Sequence, residues 1–424
     1  MGLGRLFSAA MRDRDLYARI LGILAPWSVA DVKLDQAAKQ VEVFLWHDGN
    51  LLCPECGKAC GGYDSRERRW RHLDTCQFQT ILVAKVPRVD CPTHGVRQIR
   101  VPWAEEGSQF TAMFEALAID WLRESNTAAV ARLLGLSWDE VHGIMHRAVE
   151  RGLARRELRL PTGIGVDETS FQKRHEYVTV VCDRSEGTVL HVADGRSKQA
   201  LSNFYRQFSA ESLAALDTIS MDMAKPYIQA TRDCVPAADE KIAFDKFHVA
   251  QHLGEAVDKV RREENKALVL AGDDRLKGSK YLWLQNPNFM SQDRRKCLDS
   301  LKSTVLRTAR AWAIKEAAME LWDYANWGRA QTAWLRWYGW AIRSRLEPVK
   351  KVARMVKTHL GGILNAVVSG VTNAMTEGGI NSAIQRIKFN ARGYRNRANF
   401  RTAIFFHLGG LDLYPRPSLT HTTS

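Results

Sequence analysis

The spacing of apolar residues changes character several times along the chain, and each change marks a different kind of element. Residues 20–24 form a short apolar run that Gly22 interrupts and Pro26 ends. That length suits a short docking helix and not a secretory signal, whose basic region Asp13 and Asp15 would spoil. Residues 80–86 alternate in the manner of a strand. From 110 to 153 the period becomes helical. Thr127 can cap a short helix with Ala131 and Leu134 on its inner face, and Gly135 supplies a turn. Ser137 with Glu140 makes a capping box for a second helix that carries Val141, Ile144 and Met145 inward. After Pro161 strands return: 163–169, 177–183 and 188–193 read as an antiparallel meander. A helix near 198–208, a strand over 218–223, a further helix and a strand over 241–248 follow.

Composition adds a size and a sign. At 424 residues the chain is long enough for two to four domains. With 45% apolar and 25% charged residues it is ordinary globular material, which argues against disorder, collagen repeats or a disulfide-stapled miniature fold. A run of about 18 apolar residues is missing, so a membrane-spanning helix is not expected. Lys and Arg number 61 against 47 Asp and Glu, a formal charge of +14 that favours a polyanionic partner. Five of the eight cysteines fall between 53 and 91, and Cys182, Cys234 and Cys297 are scattered singly. This uneven clustering points to metal binding in a reducing compartment, hence a cytoplasmic protein.

The cysteine cluster has a repeated form. Cys53-Pro-Glu-Cys56-Gly is followed 34 residues later by Cys91-Pro-Thr-His94-Gly. Two soft ligands three positions apart, each pair closed by Gly, let two tight turns complete a tetrahedron around zinc. Cys53, Cys56, Cys91 and His94 are the expected ligands, with Cys60 and Cys76 as rivals. Arg66, Arg68, Arg69 and Arg71 interleave with Trp70 inside this module and suit either phosphate contact or a solvated face. The helix-turn-helix pattern next to it places its second helix in a major groove. Trp138, Asp139, His142 and Arg147 are its expected exposed positions, a plain helical hairpin being the alternative. Arg151, Arg155, Arg156 and Arg159 extend the basic stretch.

The strand order after residue 161 is RNase-H-like. Asp167 and Asp222 close the first and fourth strands and converge on one sheet edge, where two or three carboxylates would hold a pair of magnesium ions. Capping of turns is the ordinary alternative for strand-end aspartates.

Gly165-Val166-Asp167-Glu168-Thr169, Ser220-Met221-Asp222-Met223, Phe244-Asp245-Lys246-Phe247-His248 and Asn390-Ala391-Arg392-Gly393-Tyr394-Arg395 together resemble the bacterial DDE transposases of the ISL-three insertion-sequence family. The resemblance runs from Cys53 to about Tyr414. It implies a catalytic core that cuts element ends and joins them to target DNA. Asp167 and Asp222 become the first two metal-binding carboxylates, and Glu377 the third. Asp245 and His248 match a further motif to which no metal role is assigned. The resembled third motif places an Asn three residues after its acid, whereas Asn381 follows Glu377 by four. A π-bulge near Gly378 and Gly379 would absorb the extra residue and bring Glu377 to the two aspartates.

Asp222 and Glu377 are 155 positions apart, far beyond the on the order of 30 residues that a strand–helix connection needs. The excess predicts an inserted helical domain holding seven of the thirteen Trp: Trp283, Trp312, Trp322, Trp327, Trp334, Trp337 and Trp340. Trp334, Trp337 and Trp340 recur every third residue and are expected on one helical face, in the core or stacked on unpaired bases. Downstream, Arg386, Lys388, Arg392, Arg395, Arg397 and Arg401 interleave with Phe389, Tyr394 and Phe400 as a phosphate-binding tail.

The expected fold is multidomain α+β: an N-terminal zinc ribbon or knuckle and a helix-turn-helix, then an RNase-H-like α/β core interrupted by a helical insertion. Its expected parts are a docking segment over 1–45, a zinc-binding module over 46–105 and a DNA-binding domain over 106–158. The core occupies 159–265, the insertion 266–370, and the last core helix with the basic tail 371–424. The expected partner is double-stranded DNA, element ends and target alike, with no membrane and a homodimer or larger assembly at synapsis. A non-catalytic DNA-binding regulator and an RNase-H-like nuclease are the rival readings.

Overall fold

Two units divide the chain in a computed structural model, which describes residues 12–172, 176–370 and 379–416. One unit is Met1–Arg156 with Leu411–Ser424, the other Glu157–Gly410.

In the first unit a helix α1 (Asp13–Ile20) leads into strands β1 (Trp27–Asp35), β2 (Gln40–His47), β3 (Gly61–Thr75), β4 (Phe78–Cys91) and β5 (Gly95–Gln98). The sheet order is β1-β2-β4-β3, with β5 paired to β4. Strict alternation in β2 buries Val41, Val43 and Leu45 against Leu82, Val86 and Val89 of β4. Trp103 packs edge-on against Trp27 at 4.8 Å and Trp70 at 5.4 Å, closing this core. Residues 27–47 are therefore structural strands of the zinc module, where the sequence reading expected a docking segment. The alternation of 41, 43 and 45 was the available signal.

Helices α2 (Ala112–Glu124), α3 (Thr127–Leu134) and α4 (Trp138–Arg155) follow. Asn126, one residue before the expected Thr127, caps α3 through its side chain on the Ala129 amide at 2.9 Å. Gly135 ends α3 at φ 65°, a left-handed turn that favours glycine. Ser137 and Glu140 form the capping box of α4, and Val141, Ile144 and Met145 are buried. The chain end also belongs here: Leu411 and Leu413 are buried, Arg151 donates to the Leu413 carbonyl, and Tyr414 donates to Asp120 at 2.6 Å. This stretch lies in the first unit, whereas the sequence reading places all of 371–424 with the core.

The second unit holds β6 (Gly163–Gln172), β7 (Glu176–Asp183), β8 (Val189–Asp194), β9 (Thr218–Met221) and β10 (Ile242–Phe244) in the order β10-β9-β6-β7-β8. β6, β9 and β10 run parallel, whereas β7 is antiparallel to both its neighbours, β6 and β8. Connecting them are α5 (Lys198–Tyr205), α6 (Ala210–Ala214), α7 (Lys225–Cys234) and α8 (Ala238–Lys241). This is the RNase-H-like arrangement the strand order predicted.

A long helix α9 (Lys246–Leu270) leaves β10 and carries the chain into α10 (Lys280–Leu284), α11 (Gln292–Lys302), α12 (Arg307–Glu320), α13 (Trp327–Ile342), α14 (Glu347–Thr358) and α15 (Leu360–Ser369). The insertion thus begins inside α9 and shares one hydrophobic core with the sheet, Ile164, Met221 and Phe244 being continuous with Trp283, Trp334 and Trp337. α15 seals the β10 edge: Asn365 donates to the Ile242 carbonyl at 2.9 Å, and a Cβ on Gly362 would lie 2.5 Å from the Phe244 ring. Trp340 is 44% exposed. Each three-residue step lags the helix by about 60°, so two steps turn Trp340 away from the face of Trp334. The opposite sheet face is covered by α16 (Ser382–Asn390) and α17 (Arg397–Leu408), whose Ile384, Phe400 and Ile404 pack on Phe171, Val178 and Val180. Among the described residues, no helix is long and apolar enough to cross a membrane.

Candidate functional site

The two knuckles meet at the ends of the β3–β4 hairpin. Ligand atoms of Cys53, Cys56, Cys91 and His94 all lie within 4.8 Å of one another. A tetrahedral zinc with Zn–S of about 2.3 Å and Zn–N of about 2.0 Å requires S···S edges of about 3.8 Å and S···N edges of about 3.5 Å. The Cys56–Cys91 sulfurs are 3.8 Å apart, and His94 Nδ1 is 3.5 Å from Cys91 Sγ and 3.6 Å from Cys53 Sγ. Backbone amides of Thr93 and His94 aim at Cys91 and pull its thiol down to about 6, favouring the thiolate that zinc takes. The donor set fits the ion. Neither rival, Cys60 nor Cys76, belongs to the group.

The acidic site follows from strand register. β6 pairs with β9 through Gly163–Thr218, Ile164–Ile219 and Gly165–Ser220. Continued by two residues past its last pair, this register directs Asp222, just beyond the end of β9, toward Asp167. β10 pairs Phe244 with Met221, so the next residue, Asp245, extends the row. β9 ends before Asp222, which receives the Ala224 amide at 3.0 Å; β6 instead runs past Asp167 to Gln172. Asp245 caps α9 by accepting from the Phe247 amide at 3.2 Å.

Two residues that sequence reasoning left unassigned join this row. Glu168 faces Arg196 at 3.4 Å, and burial together with the Asp222 charge raises its carboxyl above the usual range. His248 stands near enough to counter part of that rise. Burial, with Glu168, Asp222 and Asp167 as added negative charges, holds the proton on Tyr227, whose hydroxyl is 2.9 Å from Thr179 Oγ1. Adjacency to Asp167 was the only signal for Glu168. Asn381, which the sequence marks only by its spacing from Glu377, donates through its amide to Asp167 Oδ2. Glu377 and Gly378 lie outside the described residues; residues 379–381, just after them, are π-helical. A wide turn of that kind accommodates one extra residue.

The expected DNA-contacting residues divide into two sets. Trp138 and His142 stack at 4.8 Å on α4, with Trp138 half-exposed. Arg147 instead binds the buried Glu115 at 3.0 Å through Nε. Arg386, Arg392 and Arg395 are exposed, but Lys388 reaches the Ser170 carbonyl at 2.9 Å and Arg397 pairs with Glu176 at 3.0 Å. Lys388 and Arg397 are thus tied to the sheet they cover.

Three family models match successive parts of the chain. The zinc-finger of transposase IS204/IS1001/IS1096/IS1165 matches residues 51–94, and the helix-turn-helix domain of transposase family ISL3 matches 99–149. The ISL3 DDE domain, described as a transposase, matches 164–404. The chain is 29% identical over 422 residues to the transposase for insertion sequence element IS1557 of Mycobacterium tuberculosis, covering 91% of this chain and 93% of that protein. It is 28% identical over 360 residues to the transposase for insertion sequence element IS1001 of Bordetella parapertussis, covering 82% and 87%. Zinc-ribbon, helix-turn-helix and catalytic segments therefore follow in the order the strands, caps and cysteines had set out, and with the catalytic match alone spanning more than half its length, this chain belongs to the ISL3 family of transposases.

Proposed function

We propose that this transposase binds the ends of its insertion sequence, hydrolyses the phosphodiester there and joins the freed 3′ hydroxyl to target DNA. The observation that carries the reading is the β6–β9 register, whose continuation runs toward Asp167 and Asp222, together with Tyr227, on which Glu168, Asp222 and Asp167 all act. Like charges concentrated at strand ends are costly to hold together, and hard divalent ions relieve that cost. Asp167 and Asp222, with Glu377 as the third acid, would hold two magnesium ions. Glu377 is supported by its motif and by Asn381, four residues later, which touches Asp167. Bound magnesium would supply charge stabilisation at the attacking and leaving oxygens. The chain's own residues prepare the carboxylates: Asn381 holds Asp167, and Arg196 offsets Glu168.

Element ends would be read by the helix-turn-helix, with Trp138 and His142 of α4 toward base edges, while Arg386, Arg392 and Arg395 meet phosphates without sequence preference. Cys53, Cys56, Cys91 and His94 would hold a structural zinc that fixes the hairpin. Free thiols and a DNA substrate suit the cytoplasm, and pairing of two ends calls for a homodimer or larger.

Labelled element ends, a target plasmid and magnesium test the whole scheme. Joined product from wild type, lost in Asp167→Asn and Asp222→Asn with end binding kept, is the expected result. Cleavage without joining would assign a nuclease, and binding alone a regulator.

A further inference from the structure

Helix α16 runs beside β6 in the same direction, and three of its polar side chains form rungs to that strand. Asn381, at its start, donates to Asp167 Oδ2 and, at 3.4 Å, to the Glu168 carbonyl. Gln385 donates to Thr169 Oγ1 at 2.7 Å, and Lys388 to the Ser170 carbonyl at 2.9 Å. Positions 381, 385 and 388 are spaced i, i+4, i+7 and so share one helical face. Seven helical residues rise about 10.5 Å, and three strand residues about 10 Å. The two elements therefore stay in step from Asp167 to Ser170. Burial of Ile384 between the rungs holds the helix down.

The rung at Asp167 differs from the others because its acceptor is the carboxylate itself. Asp167 Oδ1 already accepts the Glu168 amide at 2.7 Å, so both oxygens are oriented, one by the strand and one by α16. Two fixed donors leave the carboxylate one rotamer, with the remaining lone pairs of both oxygens turned to other partners. Asn381 Oδ1 is shielded from solvent and has no hydrogen-bond partner among the described residues. A buried acceptor left in that state is a mark of a site completed by something bound.

We infer that Asn381 is a positioning residue of the catalytic centre, aligning Asp167 for divalent-cation binding through its side-chain amide, with the Gln385 and Lys388 rungs setting its height on the strand. The inference rests on the reading of Asp167 as a metal-binding carboxylate. It also gives Lys388 a task inside the fold that leaves its ammonium out of the phosphate-binding surface.

The test titrates manganese into the full-length protein and follows free ion by electron paramagnetic resonance, a readout independent of turnover. Wild type should bind, and Asp167→Asn should lose that binding. Asn381→Ala should weaken manganese binding about tenfold or more, the scale on which groups orienting a ligand act, while Gln385→Ala changes it by about twofold or less. Asn381→Ser, which retains a short donor, should fall between wild type and alanine and serves if the alanine variant does not fold. Folded Asn381→Ala or Asn381→Ser with wild-type manganese affinity would overturn the inference. A wild-type protein that binds no manganese would instead overturn the carboxylate reading beneath it.

Discussion

Arg147 is where a DNA-facing charge and an internal strut can be told apart by one substitution. Its guanidinium donates through Nε to Glu115 at 3.0 Å and pairs through Nη2 at 2.5 Å. Glu115 is 1% exposed and also accepts from Arg151 and Ser108, both at 2.9 Å. Removing one partner of a buried ion pair costs about 3–5 kcal/mol. Arg147 is 29% exposed and Arg151 stays on the carboxylate, so Arg147→Ala should cost about 2 kcal/mol. Two units need not unfold together, so hydrogen exchange of α2–α4 in the full-length protein is the suitable assay. A loss of about 2 kcal/mol speeds exchange of the most protected amides about thirtyfold. In an Arg147→Ala, Glu115→Gln cycle the coupling should be about 1–2 kcal/mol. The salt dependence of end binding supplies the other half. An internal strut leaves the slope of log K against log salt unchanged, whereas a lost phosphate contact flattens it by about 0.9. Unaltered exchange with a flattened slope would refute the strut.

Other consequences are equally open to measurement. One zinc per chain is expected from metal analysis, and chelation should loosen 51–98 while the exchange of β6–β10 is unchanged; purified protein without zinc would sink that site. His72, buried and 2.9 Å from Thr111 Oγ1, has its pKa lowered to about 4 from 6.5, chiefly by burial and further by Arg71. The unfolded chain then binds a proton that the folded one refuses, so stability is complete above about 6.5 and falls by about 3 kcal/mol as pH drops to about 4. His72→Gln should abolish that slope in the exchange of β3 and β4, and an unchanged slope would assign it to other groups. Leu413, 1% exposed against the first unit, should cost about 2–3 kcal/mol of α4 protection when replaced by Ala, and no change in α4 exchange would mean that the chain end is dispensable there.

Local chemistry determined a good deal by itself. Alternation placed the strands of the second unit, Ser137 with Glu140 started the second helix of the helix-turn-helix, and Gly135 turned the chain at φ 65° because a side chain there would be strained. Two Cys-Pro turns, each three residues wide, were enough to single out Cys53, Cys56, Cys91 and His94, the four side chains that the fold brings together. Each of these depends on neighbours within about one turn of chain, which is why the residues alone carry them.

Tertiary structure decided which charges face inward and which strands align. Nothing around Arg147 in sequence distinguishes a phosphate partner from Glu115, thirty-two positions away and buried. Lys388 reads as one more cation of a basic tail until α16 is laid along β6 in step with it. Asp167 and Asp222 each pass for an ordinary turn cap; only the parallel register of two strands whose partners lie 55 positions apart in sequence directs them toward each other. The reason is common to all three. A local pattern specifies an element and its buried face, whereas the partner of a charge depends on which distant groups share its desolvation, and that is settled only when the elements pack.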